Sequence, residues 1–158
     1  MKKVMTILYL ALAVAMAACA DAARADEQHS RPQGMSLRLE LFVSDLQKSV
    51  EFYTRVLGFE RLEGQADYVP VRSGSVVFGL GPAENLSKRH YFNPELQTAR
   101  RGLGAEIVLE VDDVQAFFAK VKASGYKQIV SPLRAQSWGL TDFRVADPDG
   151  YYLRITSR

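Results

Sequence analysis

The chain has 158 residues, 47% of them hydrophobic, with 20 Lys and Arg against 18 Asp and Glu, a formal net charge of +2. That length supplies one domain with a full core. The near-neutral balance excludes a duplex-binding surface, which needs a basic excess, and the single cysteine, Cys19, excludes an intrachain disulfide.

Lys2 and Lys3 precede an apolar run from Val4 to Ala18, broken by Thr6. This is the charge-then-apolar order of an export signal, and it is short for a membrane span. Two processing sites fit. Ala23-Arg24-Ala25 has the small-x-small pattern and places a mature start at Asp26. Met16-Ala17-Ala18-Cys19 resembles a bacterial lipobox with an unfavourable first residue, and would leave lipid on Cys19. Residues 1–25 thus read as a signal peptide or lipoprotein leader. Residues 26–35 read as a flexible polar tether. The protein is then exported, periplasmic or envelope-anchored, touching a membrane only through the Cys19 lipid. A start at Met35 is the third reading and gives a cytoplasmic protein. Loss of Lys2, Lys3, Arg24 and Asp21 brings the charge from +2 to neutral. Lys88-Arg89-His90, with Arg100-Arg101, reads as a solvated loop rather than a nucleic-acid patch.

The domain occupies residues 36–158. Leu37 to Val43 alternates as a strand, with Leu37, Leu39, Leu41 and Val43 on one face and Arg38, Glu40 and Phe42 on the other. Ser44 or Asp45 caps a helix whose apolar stripe is Leu46, Val50, Tyr53 and Leu57, and Gly58 closes it. Strands follow near Phe59 to Leu62, Asp67 to Arg72 and Ser75 to Leu80, the last two joined by a Ser73-Gly74 turn. Module one therefore spans about 36–81. Residues 82–104 are the least regular stretch, with Pro82, Asn93-Pro94 and the pair Tyr91-Phe92, and read as a linker with partial lid character.

Module two, residues 105–158, repeats the plan. Ile107, Leu109 and Val111 oppose Glu106, Val108 and Glu110. Asp112 is expected to cap the next helix, with Gln115 completing a capping box. Val114, Phe117, Phe118 and Val121 form its stripe, and Gly125 ends it. Strands follow near Lys127 to Val130, over Leu140 to Ala146 and over Tyr151 to Thr156, the last two joined by an Asp147-Pro148-Asp149-Gly150 turn. Duplication of one strand–helix unit sets the architecture. In both first strands the face away from the helix carries charges, which predicts an open, solvent-reachable sheet surface.

VSDLQKSVEFYTRVLGF, EIVLEVDDV and DPDGYYLRI resemble the vicinal oxygen chelate superfamily, which includes glyoxalase I, bleomycin-resistance proteins and extradiol dioxygenases. The likeness runs from about Ser36 to Thr156. It implies an α+β fold of two βαβββ modules, their mixed sheets curled around a central cavity and their helices outside, and a homodimer. The metal-dependent members draw His or Glu ligands from four strand positions. Carried onto this chain, those positions are Arg38, Gly79, Glu106 and Arg154. Guanidinium donates no lone pair and stays cationic, and glycine has no side chain. A divalent ion wants imidazole and carboxylate donors. No metal and no other cofactor is therefore expected. The histidines, His29 and His90, fall in the tether and the linker.

Glu106 is expected to pair with Arg38, Arg154 or both. Either the pair is structural, or one arginine keeps a free edge that grips a carboxylate or other planar anion. Phe42, Val108, Tyr152 and Trp138 are the candidate apolar walls, and Glu40 a further polar lining residue. Glu106 and Glu110 are the candidate catalytic bases. The leading reading is a metal-independent binding protein for a small anionic or aromatic molecule. The alternative is a lyase, isomerase or dioxygenase-type enzyme using a carboxylate base or a displaced metal. A structural, partner-binding role at an envelope surface is the third. No nucleophile elbow or phosphate-binding glycine loop is present.

Overall fold

The computed structural model describes residues 35–93 and 99–158. The leader over 1–25 with Cys19, the tether up to residue 34 with His29, and linker residues 94–98 lie outside the described residues. Among those described, no helix is long and apolar enough to cross a membrane.

β1 (Leu39–Val43) buries Leu41 and Val43 and turns Glu40 and Phe42 to its other face. Asp45 caps α1 (Leu46–Glu51), its carboxylate accepting the Lys48 N–H at 3.1 Å. The helix then widens over Phe52–Val56, where the Leu57 N–H reaches back five residues to the Phe52 carbonyl. Val50, Tyr53 and Leu57 are buried by this course. Gly58 ends it at φ 81, a left-handed conformation that glycine adopts without strain.

β2 (Glu60–Arg61), β3 (Val69–Ser73) and β4 (Val76–Pro82) complete the module. The sheet order is β1-β4-β3-β2, with β1 parallel to β4 and the other pairs antiparallel. The second module repeats it with β5 (Ile107–Val111), α2 (Val114–Ala123), β6 (Ile129–Ala135), β7 (Thr141–Ala146) and β8 (Tyr152–Ser157), in the order β5-β8-β7-β6. The fold is the expected α+β pair of βαβββ modules with mixed sheets. α1 packs against β3 and β4, and α2 against β7 and β8, so each sheet has one helix-covered face.

Two local expectations are corrected. The second helix is capped by Asp113, which accepts the Ala116 N–H at 2.8 Å, and not by Asp112, which pairs with Arg158 at 2.7 Å. Adjacent aspartates offer the same signal, and the cap falls to the last non-helical residue before the turn. Gln115 then lies one position short of a capping box. β6 runs through Pro132 to Ala135 rather than ending near Val130. It is the edge strand of its sheet, where a proline costs no ladder bond, and the register shifts around Pro132.

The modules join through a polar seam centred on the buried Asp147. The second module's Asp147-Pro148-Asp149-Gly150 turn faces the start of α1. Tyr53 donates its hydroxyl to Asp147 at 3.0 Å. Asp149 accepts the Ser44 N–H at 2.7 Å and the Ser49 hydroxyl at 3.2 Å. Phe52 packs on Tyr126 with ring centroids 4.7 Å apart. A single hydrophobic cluster runs from Leu41 and Phe78 through to Phe143 and Ile155.

Candidate functional site

The register of β1 on β4 decides what stands at the first module's open face. Glu40 pairs with Gly79, while Phe78 and Leu80 on either side are buried in the core. Gly79 is therefore the β4 position facing outward with Glu40. A Cβ there would collide with the Glu40 carboxylate and the Tyr68 hydroxyl. Tyr68 donates to Glu40 at 3.1 Å, and Arg38 meets the same carboxylate oxygen at 2.7 Å. The missing side chain is what lets the Arg38–Glu40–Tyr68 group lie across the strand. Burial and the Glu40 hydrogen bond raise the Tyr68 hydroxyl above its ordinary pKa of 10.0.

On the second module, Glu106 stands between two guanidiniums. Arg154 Nε lies 3.7 Å from one carboxylate oxygen, and Arg144 Nε 3.8 Å from the other. These are ion pairs beyond hydrogen-bond reach. Both Nε atoms are buried and make no hydrogen bond. Arg144 and Arg154 are direct register partners on β7 and β8. Like charges so placed repel unless an anion intervenes. Asp142, fully buried, holds Arg144 from the other side at 3.5 Å and accepts from Gln136 at 2.8 Å.

Of the pairings considered for Glu106, Arg154 is present and Arg38 is not, since Arg38 is taken by Glu40. Arg144 is an addition. Its signal was available: Asp142, Arg144 and Ala146 alternate along β7, and the same alternation that picks out Arg154 picks out Arg144.

The remaining candidates are dispersed. Val108 and Glu110 line a hollow of about 470 Å³ against the β3–β4 turn of Ser73, Gly74 and Ser75. Trp138 is exposed in the β6–β7 turn. Tyr152 pairs with Ala146 at the start of β8. Phe42 forms an aromatic cluster with linker residues His90 and Phe92, with centroids 5.4 and 5.8 Å away.

The donor set does not suit the divalent ion implied by the resemblance. Among the described residues, no three His, Cys, Asp or Glu side chains come together as a metal site. The one carboxylate at the four ligand positions, Glu106, is already claimed by two fixed cations.

Two βαβββ modules, each with a helix-covered face and an open polar face, define a paired-module, curled-sheet protein. The chain belongs to the Glyoxalase/Bleomycin resistance protein/Dioxygenase superfamily, whose pattern it matches over residues 36–155. It is 27% identical over 118 residues to a lactoylglutathione lyase of Arabidopsis thaliana, covering 73% of this chain and 41% of that protein's length. A solved protein of unknown function from Agrobacterium tumefaciens is 26% identical, with a TM-score of 0.63 over 80% of this chain and 97% of its own. A glyoxalase/bleomycin resistance protein/dioxygenase from Nocardioides shares the fold at 19% identity, with a TM-score of 0.65 over 87% of this chain and 92% of its own.

Proposed function

We propose that this chain is a metal-independent binding protein for a small organic anion, held by Arg154 and Arg144 on the second module's open face. The observation that carries the reading is the pair of buried Nε donors that Glu106 approaches but does not satisfy. An unmet buried donor costs about 1–3 kcal/mol. A planar carboxylate that displaces Glu106 and meets the guanidiniums at about 2.8 Å would recover that cost and gain a bidentate contact. Glu106 keeps 37% of its side-chain surface, so it can swing out, whereas the arginines keep 14% and 25% and are held in place.

The test combines metal analysis of the purified protein with calorimetric titration of small carboxylates into wild type and Arg154→Ala. The reading expects no stoichiometric transition metal and a loss of carboxylate binding in the variant. One bound equivalent of Ni, Zn, Mn or Fe, or unchanged affinity in Arg154→Ala, would sink it. We also propose a homodimer, in line with the superfamily's common habit, and export to the periplasm or envelope.

A lyase or isomerase is the second reading, favoured by the name of the Arabidopsis relative. Glu110 is the base it would use, because it is exposed and has no hydrogen bond or ion pair among the described residues. Turnover of a lactoylglutathione-type thioester precursor that disappears in Glu110→Gln would move the assignment there.

A further inference from the structure

We propose that the described ends of the linker, up to Asn93 and from Ala99, build a second binding pocket against the first module, suited to an aromatic ring carrying an anionic group. The cavity is about 350 Å³ and is lined by Phe42, Phe92, Leu103, Tyr151, Arg100 and Glu40 among others. None of its lining residues belongs to the Glu106 cluster. Its size lies at the small end of the roughly 300–1,000 Å³ typical of ligand pockets.

The walls are fixed by contacts on both sides of Phe42. Tyr151 donates its hydroxyl to the Phe42 carbonyl at 3.1 Å. Gly102, at φ 67, lies flat against the Tyr151 ring, where a Cβ would come within 2.9 Å. The linker at Gly102 is thereby seated on Tyr151, beside the second module's turn. On the other side, His90 and Phe92 pack edge-on to Phe42. That segment is tied internally: the Phe92 N–H donates to His90 Nδ1 at 3.3 Å, and the His90 N–H to the Ser87 carbonyl at 2.8 Å. A pocket whose walls are already held loses little order on binding.

The apolar part is left uncovered. Phe92 is 43% exposed and Leu103 70% exposed. Exposed apolar surface clustered beside a cavity marks an interaction site more often than scattered residues do.

Charge selects the ligand. The Glu40 charge is compensated by Arg38, and Tyr68 adds a hydrogen bond to it. Arg101 is paired with Asp149. Arg100 has no ion-pair partner among the described residues, and Lys88 and Arg89 lie in the adjoining turn. The uncompensated charge around the cavity is thus positive. An anion attached to the ring gains from Arg100, and an aromatic amine does not.

The test uses the full-length chain and isothermal titration with three probes: naphthoate, a naphthylmethyl ammonium salt and acetate. In Arg154→Ala, which lacks the carboxylate site proposed above, naphthoate is expected still to bind, and the other two to bind much more weakly. Phe92→Ala should weaken naphthoate about tenfold through the lost ring contact. Arg100→Ala should weaken it roughly threefold, as a partly exposed ion pair does. Both pocket residues are exposed, and matched thermal melts check that each variant is folded. Unaltered naphthoate affinity in Phe92→Ala and Arg100→Ala overturns the pocket, as does equal binding of the amine or no naphthoate heat. Loss of naphthoate in Arg154→Ala alone would also overturn it, while leaving the arginine-pair reading standing.

Discussion

Tyr53, on the first module's helix, gives its hydroxyl to Asp147 in the second module's turn at 3.0 Å, and both side chains are fully buried. Asp147 also accepts the Asp149 and Tyr151 N–H groups at 2.9 and 2.8 Å. Burial outweighs these bonds and pushes the carboxyl from 3.8 up to about 6. The junction of the modules therefore contains a titrating group in the mildly acidic range.

Asp147 should make stability fall as pH rises from about 4 to about 6. In that window the folded chain binds a proton that the unfolded chain has released, so deprotonation favours unfolding. Below the window both states are protonated and above it both are ionised, so the effect is flat on either side. A shift of this size corresponds to roughly 3 kcal/mol. Urea unfolding of wild type and Asp147→Asn from pH 3 to 8 isolates it, because the other carboxylates cancel in the difference. A constant difference across the window would rule out the titration.

Tyr53→Phe should destabilise the protein by about 1–3 kcal/mol, the cost of leaving a buried acceptor without its donor. It should also raise the Asp147 pKa further, since the Tyr53 hydrogen bond is one of the contacts favouring the ionised form. Carboxyl carbon NMR titration reads that shift, and an unmoved midpoint would contradict the geometry.

Glu106→Gln should act in opposite directions on binding and on stability. It removes the internal competitor for Arg144 and Arg154, so a small carboxylate should bind about tenfold tighter. It also leaves two clustered cations with less compensation, costing about 1–2 kcal/mol after allowance for their partial exposure. Weaker carboxylate binding in this variant would mean that Glu106 helps hold the ligand.

Gly79→Ala should cost about 1 kcal/mol, because the new methyl must push Glu40 and Tyr68 off the strand and break their hydrogen bond. In a Glu40→Ala background the same change should cost less, since only the Tyr68 hydroxyl, no longer bonded to Glu40, then has to move aside. A double-mutant cycle by chemical denaturation measures the coupling. Additive effects would show that Glu40 does not depend on the bare glycine.

The elements were largely legible before the structure, because alternation and helical spacing are local signals. The first cap is open in the sequence between the adjacent Ser44 and Asp45 and falls to Asp45, while the second was expected at Asp112 and falls to its neighbour Asp113; in both pairs only the backbone separates the candidates. β6 continues past Pro132 because it lies at a sheet edge, a position that the local sequence does not encode.

The amino-acid order alone determined the duplicated strand–helix plan, the charged face of each first strand and the inability of arginine and glycine to serve as metal donors at the positions that the resemblance assigns to ligands. These follow from side-chain chemistry and from periodicities of two and 3.6 residues. The partners were decided by tertiary structure. Arg38 turns to Glu40, Arg144 joins Arg154 at Glu106, and Gly102 of the linker comes to rest on Tyr151. Such pairings depend on strand register and on where a long connection returns, and neither leaves a trace within a few residues of the groups that meet.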